Sequence, residues 1–122
     1  MNVLLENISA SLALLARASD FHHLYREWKS APDMTLDIGH ASIRGETRKY
    51  LPSLSRRIRH VHAHDNDGTI DKHMRVGAGK VDWKWVMRAL AESEFQGKIV
   101  VEAVFGPFAS LASLRNLLRS LQ

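Results

Sequence analysis

The 122-residue sequence contains no cysteine, which excludes disulfide bonds and thiolate metal sites. No apolar run approaches the roughly 20 residues that a membrane-spanning helix requires. The N-terminus lacks the basic and apolar regions of a secretory signal, because Glu6 and Asn7 interrupt the only candidate run. From these absences we expect a reducing, cytoplasmic setting and no membrane partner.

The sequence also lacks internal repeats, low-complexity runs and linker-like segments, so we expect one domain over residues 1–122. A content of 45% hydrophobic and 25% charged residues is ordinary for a globular protein. The net charge of +4 allows a phosphate or nucleic-acid partner, although such an excess more often reflects only a solvated surface. Arg56, Arg57 and Arg59 precede a predicted strand and are interpreted in that way, as solvated side chains.

Four short apolar runs predict four β-strands, at residues 3–7, 34–37, 58–62 and 99–102. A segment with helical periodicity follows each of them, and short connections join the units. This alternation predicts an α/β fold of parallel strands covered by outer helices. Four βα units amount to half of a (β/α)8 TIM-type barrel.

Apolar residues at steps of three and four predict the helices. The first stripe consists of Leu14, Ala18, Phe21, Tyr25 and Trp28, and Pro32 ends it. Ser19-Asp20 could instead be an N-cap within this stripe. A shorter helix is expected over residues 46–54, and Asp82 is expected to cap the next one, in which Trp83 and Trp85 pack. Gly106-Pro107 begins the last helix, whose predicted stripe is Leu111, Leu114, Leu118 and Leu121.

An isolated half barrel would expose the inner face of its sheet, including Leu4 and Val100, together with two unpaired strand edges. We therefore expect a partner, either a second copy of the chain or a separately encoded N-terminal half barrel. The other interpretation is that the chain is a fragment of a longer barrel.

Four residues of metal-ligand type lie where the apolar runs end: Glu6, Asp37, His62 and Glu102. The C-terminal ends of parallel strands meet at one mouth of a barrel, so these side chains should converge there. A carboxylate at such a position is costly unless it is paired or bound to a cation. Three carboxylates with one imidazole form a mixed oxygen and nitrogen set that suits a divalent cation.

Further polar residues are expected at the same mouth. His60 and His64 share a strand face with His62, so that each either supports the site or packs beside it, with His60 deeper and His64 nearer the rim. His40 follows Asp37 by three residues. The long loop after the third strand contains Asp71, His73 and Arg75, and this arginine is well placed to meet an anionic substrate.

These residues belong to an ordered set of motifs that resembles the C-terminal half of the xylose isomerase-like TIM-barrel superfamily. The motifs are Leu5-Glu6-Asn7, Leu36-Asp37-Ile38-Gly39-His40-Ala41, His60-Val61-His62-Ala63-His64-Asp65-Asn66, Asp71-Lys72-His73 with Gly77-Ala78-Gly79, and Val101-Glu102. The superfamily joins sugar and sugar-phosphate isomerases and epimerases to DNA repair enzymes of the endonuclease-IV type.

The resemblance implies roles by position. It matches Glu6, Asp37, His62 and Glu102 to the shared metal ligands, and the two glutamates to the acid and base of the epimerases. His40 matches a substrate-contacting histidine of the epimerases or a zinc ligand of the endonucleases, and Asp71 and His73 match two further zinc ligands. The endonuclease type needs two more histidines from an N-terminal half that this sequence does not contain.

Three hypotheses follow from these observations. The first is an isomerase or epimerase of sugars or sugar phosphates that uses Mn²⁺, Mg²⁺ or Co²⁺ and transfers a proton through an enediolate. The second is a zinc phosphodiesterase of the endonuclease-IV type that acts on abasic DNA. The third is a non-catalytic half barrel that binds metal or assembles with a partner, which leaves the question of enzymatic activity open.

Overall fold

The computed structural model describes residues 3–10 and 13–121. Its sheet contains four parallel strands in the order β1-β2-β3-β4. The strands are β1 Leu5–Glu6, β2 Met34–Asp37, β3 Ile58–Ala63 and β4 Lys98–Val101. Because the spatial order equals the chain order, each strand is joined to its neighbour by a crossover on the same side, which confirms the predicted half barrel.

In the described part of the chain, five α-helices cover the outer face of the sheet: α1 Ala18–Glu27, α2 Ile38–Ile43, α3 Thr47–Leu54, α4 Trp83–Glu92 and α5 Pro107–Arg119. A 3₁₀ turn, Ser55–Arg57, leads from α3 into β3. The Asp82 side chain accepts a hydrogen bond from the Trp85 backbone N–H, as expected of the cap of α4. Gly106 precedes α5 in the left-handed conformation, with Pro107 as the first helical residue.

The predicted first stripe is wrong at both ends. Leu14 lies before α1 and is 89% exposed, while Trp28 follows the helix and is 53% exposed. The alternative N-cap at Ser19-Asp20 is wrong as well, because Arg17 occupies that position. Asp20 lies in the first turn and accepts hydrogen bonds from the N–H groups of Ala16 and Arg17, so the helix begins later than the apolar spacing indicates.

Two other helical features differ from the sequence pattern. The short helix α2 was not predicted, and it begins directly at the end of β2 because the Asp37 carboxylate accepts the His40 backbone N–H at 2.7 Å. In α5, Leu114 is buried as expected, but Leu111 and Leu118 are 39% and 47% exposed.

The core lies between the outer face of the sheet and the helices. Leu36 and Val61 from the strands are fully buried against Phe21 of α1, Tyr50 of α3 and Val86 of α4. Trp83 packs in this core. The guanidinium of Arg48 lies over the Trp85 ring, with its Cζ 4.5 Å from the ring centroid. At the edge of the sheet Val100 is 40% exposed, and Val104, Phe105 and Phe108 beyond β4 are more so.

The interpretation of the three arginines as solvated is wrong for Arg57. Its guanidinium binds Asp33 and the Lys29 carbonyl and lies over the Tyr25 ring. Arg59 also binds Asp33, at 2.7 Å, so this carboxylate anchors two arginines where β2 begins. Within residues 3–10 and 13–121, no helix has both the length and the apolar character needed to cross a membrane.

Candidate metal centre

The strands bring the four predicted ligands to one edge of the sheet. Glu6 and Asp37 are the last residues of β1 and β2, and Glu102 directly follows β4. His62 lies one residue before the end of β3, in register with Asp37 on one side and Val100 on the other. Four successive parallel strands therefore contribute one polar side chain each at their C-terminal ends.

The three carboxylates surround one imidazole nitrogen. His62 Nδ1 lies 3.2 Å from Glu102 Oε1, 3.4 Å from Glu6 Oε1 and 3.9 Å from Asp37 Oδ2. This nitrogen is buried and has no hydrogen-bond partner among the described residues. Ligands bound at about 2.1 Å around one ion stand about 3–3.5 Å apart. Ligand-type atoms of Glu6, Asp37 and His62 all lie within 4.8 Å of one another and could hold a divalent cation, and Glu102 forms a second such group with Asp37 and His64.

Asp37 is the most rigidly held member of the cluster. Its backbone N–H donates to Asn7 Oδ1 at 2.7 Å, and Asn7 Nδ2 donates to the Asp37 carbonyl at 2.9 Å. His64 Nε2 lies 3.0 Å from one carboxylate oxygen and 3.1 Å from the other. Burial alone would raise the pKa of Asp37, but the hydrogen bond and charge of His64 and the His40 N–H outweigh it and lower that pKa. Asp37 is therefore held as an anion, the form that binds a cation.

His64 lies just beyond β3, which ends at Ala63, and it is fully buried there. Its ring stacks on His73, with centroids 3.8 Å apart and an interplanar angle of 11°. Burial opposes the protonation of His64, but the hydrogen bond and charge of Asp37, together with the charge of Asp71 and the Asp65 backbone, outweigh it and raise the pKa of His64. A Cβ at Gly39 would come within 2.0 Å of the His64 ring, so only glycine leaves room for this ring.

A second cluster joins the loop after β3 to the first. Asp71 Oδ2 lies 3.0 Å from His40 Nε2 and 3.3 Å from His73 Nε2. His40 Nδ1 contacts the Asn7 carbonyl and His73 Nδ1 the Glu102 carbonyl, at 2.9 and 2.8 Å. Burial opposes the protonation of His40, but Asp37, the Asn7 carbonyl and Asp71 raise its pKa. Ligand-type atoms of His40, His64, Asp71 and His73 all lie within 4.8 Å of one another.

Two of the predicted residues stand apart from these clusters. His60 is in register with Thr35 and Lys98 inside the sheet, and its ring makes no hydrogen bond within the described part of the chain. Arg75 is exposed, and the aliphatic part of its side chain lies against Gly106 at the start of α5. Its guanidinium forms no ion pair with any described carboxylate, which leaves it available to an anion.

Sequence reasoning gave no role to Asn7 or Asp65, although both are fully buried polar residues that follow strand ends. Asn7 fixes the backbone of Asp37, and the Asp65 carboxylate accepts three backbone N–H groups of the loop after β3 and the indole N–H of Trp83 in α4. The sequence signal that could have identified them is their position directly after Glu6 and His64. An amide or carboxylate at such a place stays buried only where local hydrogen bonds satisfy it.

Half of a TIM barrel with carboxylates and histidines at its strand ends defines the class of this protein. Comparison with known families narrows this class. The family model described as xylose isomerase-like TIM barrel matches residues 1–121. The chain belongs to this family, as the motifs indicated.

Curated relatives match shorter parts of the chain. An uncharacterised protein of Methanocaldococcus jannaschii is 38% identical over 72 residues, which are 57% of this chain and 25% of that protein. Fructoselysine 3-epimerase of Escherichia coli O157:H7 is 34% identical over 55 residues, which are 45% of this chain and 20% of the enzyme.

Solved structures match nearly the whole chain. A D-tagatose 3-epimerase-like protein is 27% identical with a TM-score of 0.85, and the match covers 99% of this chain and 48% of that one. A Thermus thermophilus protein soaked with ZnCl₂ is 24% identical with a TM-score of 0.74, over 98% of this chain and 46% of the other. The chain thus spans about half the length of these structures and corresponds to one half of their barrels.

Proposed function

We propose that this chain provides the divalent-metal site and the acid and base of an isomerase or epimerase that acts on a sugar or sugar phosphate. One observation carries the proposal: the buried His62 Nδ1 has no hydrogen-bond partner among the described residues, yet faces carboxylates of Glu6, Asp37 and Glu102. The similarity to epimerases in sequence and fold supports the choice of reaction.

Glu6, Asp37, His62 and Glu102 would hold the metal ion. Mn²⁺, Mg²⁺ and Co²⁺ suit such a carboxylate-rich set, and Zn²⁺ would be favoured if the site acts on phosphodiesters. When bound, the ion would polarise a substrate carbonyl and the neighbouring hydroxyl. Asp37 contributes a fixed negative charge, because Asn7 and His64 hold its backbone and carboxylate in place.

Glu6 and Glu102 are suited to move the proton. They extend from β1 and β4, the two ends of the strand order, so they approach the space above His62 from opposite sides. Their side chains are 37% and 32% exposed, which leaves carboxylate oxygens accessible to a substrate. One would accept the proton from carbon, and the other would donate a proton of its own to the opposite face.

The second cluster would bind substrate hydroxyls. His40 and His73 present ring nitrogens on either side of Asp71, and each contacts a backbone carbonyl next to a proposed ligand. His64 would orient Asp37, and His60 would support β3 from within the sheet. Arg75, which binds no described carboxylate, would pair with a phosphate of the substrate.

A second candidate is a zinc phosphodiesterase that acts on abasic DNA. The observation in its favour is the group of His40, His64, Asp71 and His73, whose ligand-type atoms are close enough to hold a further ion. We rank this function second, because the similar proteins include a fructoselysine 3-epimerase and a D-tagatose 3-epimerase-like protein.

The third candidate is a non-catalytic half barrel. It applies if the metal site forms without a substrate pocket, since the chain corresponds to about half of the barrels that it matches. In all three cases we propose that a second half barrel completes the fold, as a preceding part of a longer chain, a second copy or a separate N-terminal half. The exposed Val100 on β4 is the side chain that such a partner would cover.

One experiment separates the candidates. The protein is loaded with Mn²⁺, Co²⁺ or Zn²⁺ and incubated with a panel of ketoses, with their phosphates and with DNA that contains an abasic site. Epimerisation that the Glu102→Gln variant lacks would support the first candidate. Strand cleavage would support the second, and metal binding with neither reaction would support the third. Failure of every metal to bind would contradict the proposal.

A further inference from the structure

The carboxylate of Asp65 is fully buried, yet it contacts no cationic side chain among the described residues. Oδ1 accepts the backbone N–H of Asn66 at 2.9 Å and that of Val81 at 3.1 Å. Oδ2 accepts the backbone N–H of Gly77 and the indole N–H of Trp83, both at 3.0 Å. Four N–H donors thus compensate a charge whose burial would otherwise be very costly.

These hydrogen bonds close the long loop onto itself. The backbone of Asp65 pairs with that of Met74 in both directions, at 2.9 and 2.7 Å. The returning chain passes so close that a Cβ at Gly79 would lie 2.3 Å from Asp65 Oδ1. The segment between Asp65 and Met74 is therefore anchored at both ends, and it is the segment that contains Asp71 and His73.

We propose that Asp65 is a positioning residue, whose carboxylate fixes the loop so that Asp71 and His73 lie beside His40 and His64. Asp65 itself touches none of the proposed ligands or acid–base residues. Its importance for catalysis rests on the proposed function, whereas its effect on the loop does not. The indole of Trp83 extends the same anchor to the start of α4.

The chemistry of the side chain explains why an aspartate is needed here. An ionised carboxylate only accepts hydrogen bonds, and its two oxygens can serve four donors. Asparagine has nearly the same volume but places an NH₂ group against two of those N–H donors. The Asp65→Asn variant therefore disrupts two of the four hydrogen bonds of the anchor while leaving the packing volume nearly unchanged.

The test follows the loop by NMR in the full chain and needs neither metal nor substrate. In Asp65→Asn we expect amide exchange of Gly77 and Val81 to accelerate at least about tenfold, the loss expected for charge-assisted hydrogen bonds. We also expect the nuclear Overhauser effect between the stacked rings of His64 and His73 to disappear. Exchange at Val61 and Ala63 in β3 should stay within about twofold of the wild type, because local opening does not require global unfolding.

Asp33→Asn is the matched control, since Asp33 also accepts hydrogen bonds but at the opposite end of the sheet. It should leave the ring contact between His64 and His73 intact. An unchanged ring contact and unchanged exchange in Asp65→Asn would overturn the proposal. So would equal acceleration in the loop and in β3, because Asp65 would then only contribute to overall stability.

A milder variant covers the case in which Asp65→Asn does not fold. Trp83→Phe removes one of the four donors and keeps an aromatic ring in the core, so Gly77 exchange should accelerate by a few-fold while β3 stays protected. Unchanged Gly77 exchange would contradict the proposal. Metal binding is measured separately by Co²⁺ titration: wild-type protein that binds no Co²⁺ would contradict the proposed function and leave the result for Asp65 standing.

Discussion

A buried imidazole nitrogen without a hydrogen-bond partner costs free energy unless something binds it. His62 Nδ1 is in this situation while three carboxylate oxygens lie within 3.9 Å, and these carboxylates repel one another without a cation. Both costs disappear if a divalent cation occupies the space between them. A shared metal ion therefore accounts for the positions of these four residues better than four separate roles as polar side chains.

We predict that His62→Ala lowers the affinity for Co²⁺ at least about tenfold, since even the loss of residues that orient ligands costs that much. The visible absorption of bound Co²⁺ during titration measures this change. His22→Ala is the control, because this exposed histidine on α1 bonds only to Ser53 among the described residues. Equal Co²⁺ affinity in His62→Ala and the wild type would remove His62 from the ligand set.

Arg75 is predicted to discriminate between sugars and sugar phosphates. In Arg75→Gln we expect the KM for a phosphorylated substrate to rise about tenfold or more, the effect of losing a hydrogen bond to a charged group, with little change in kcat. The KM for the unphosphorylated sugar should not change. Steady-state kinetics on both substrates measure this difference, with Arg88→Gln on the outer face of α4 as the control. Equal changes for both substrates would contradict a phosphate contact.

At the level of elements, the start of α1 depends on a residue from another helix. Glu46, which precedes α3, is buried and accepts the Ala18 backbone N–H at 2.9 Å and the Lys49 ammonium at 3.1 Å. Burial raises the pKa of Glu46, but these two hydrogen bonds outweigh it and hold the pKa below the ordinary 4.5. The folded state therefore favours the ionised carboxylate.

We predict that Glu46→Gln lowers the free energy of unfolding by about 1–2 kcal/mol at pH 7. Because the folded-state pKa is depressed, this contribution is present above pH 4.5 and is lost as the pH falls through the folded-state value. Urea denaturation at a series of pH values measures the difference between wild type and variant, with the exposed Glu92→Gln on α4 as the control. A difference that grows in acid would contradict this assignment.

The elements also show what sequence could and could not predict. The strands and the residues at their ends were predictable. An apolar run that stops at Asp37 or Glu102 indicates a buried strand with the carboxylate at its C-terminal end. The start of α1 was not, since it depends on Glu46, 28 residues away. The depth of His64 depends in the same way on Asp37, 27 residues earlier in the chain. Periodicity in the sequence reflects local geometry only. It cannot predict contacts such as these two, which join segments that are distant in the chain.

At the scale of the whole molecule, the two open edges of the sheet leave backbone hydrogen-bonding groups without a strand partner. β1 is short, and β4 ends beside the exposed Val104, Phe105 and Phe108. An edge of unpaired backbone groups next to exposed apolar side chains favours association with another chain. Two copies related by a two-fold axis parallel to the strands would pair β4 of one with β1 of the other, and both proposed metal centres would open at the same mouth.

We therefore predict that the chain does not remain a monomer at micromolar concentration. Sedimentation equilibrium should give about twice the chain mass of 13.8 kDa. Val100→Lys should shift the equilibrium towards the monomer, because a charge on the inner face of β4 would be buried in the closed barrel, whereas Lys84→Ala on the outer face of α4 should not. A well-folded wild-type monomer would contradict the dimer. A stable dimer that binds Co²⁺ without isomerase activity would instead favour a half barrel that retains the family's metal site but lacks the substrate pocket of a complete barrel.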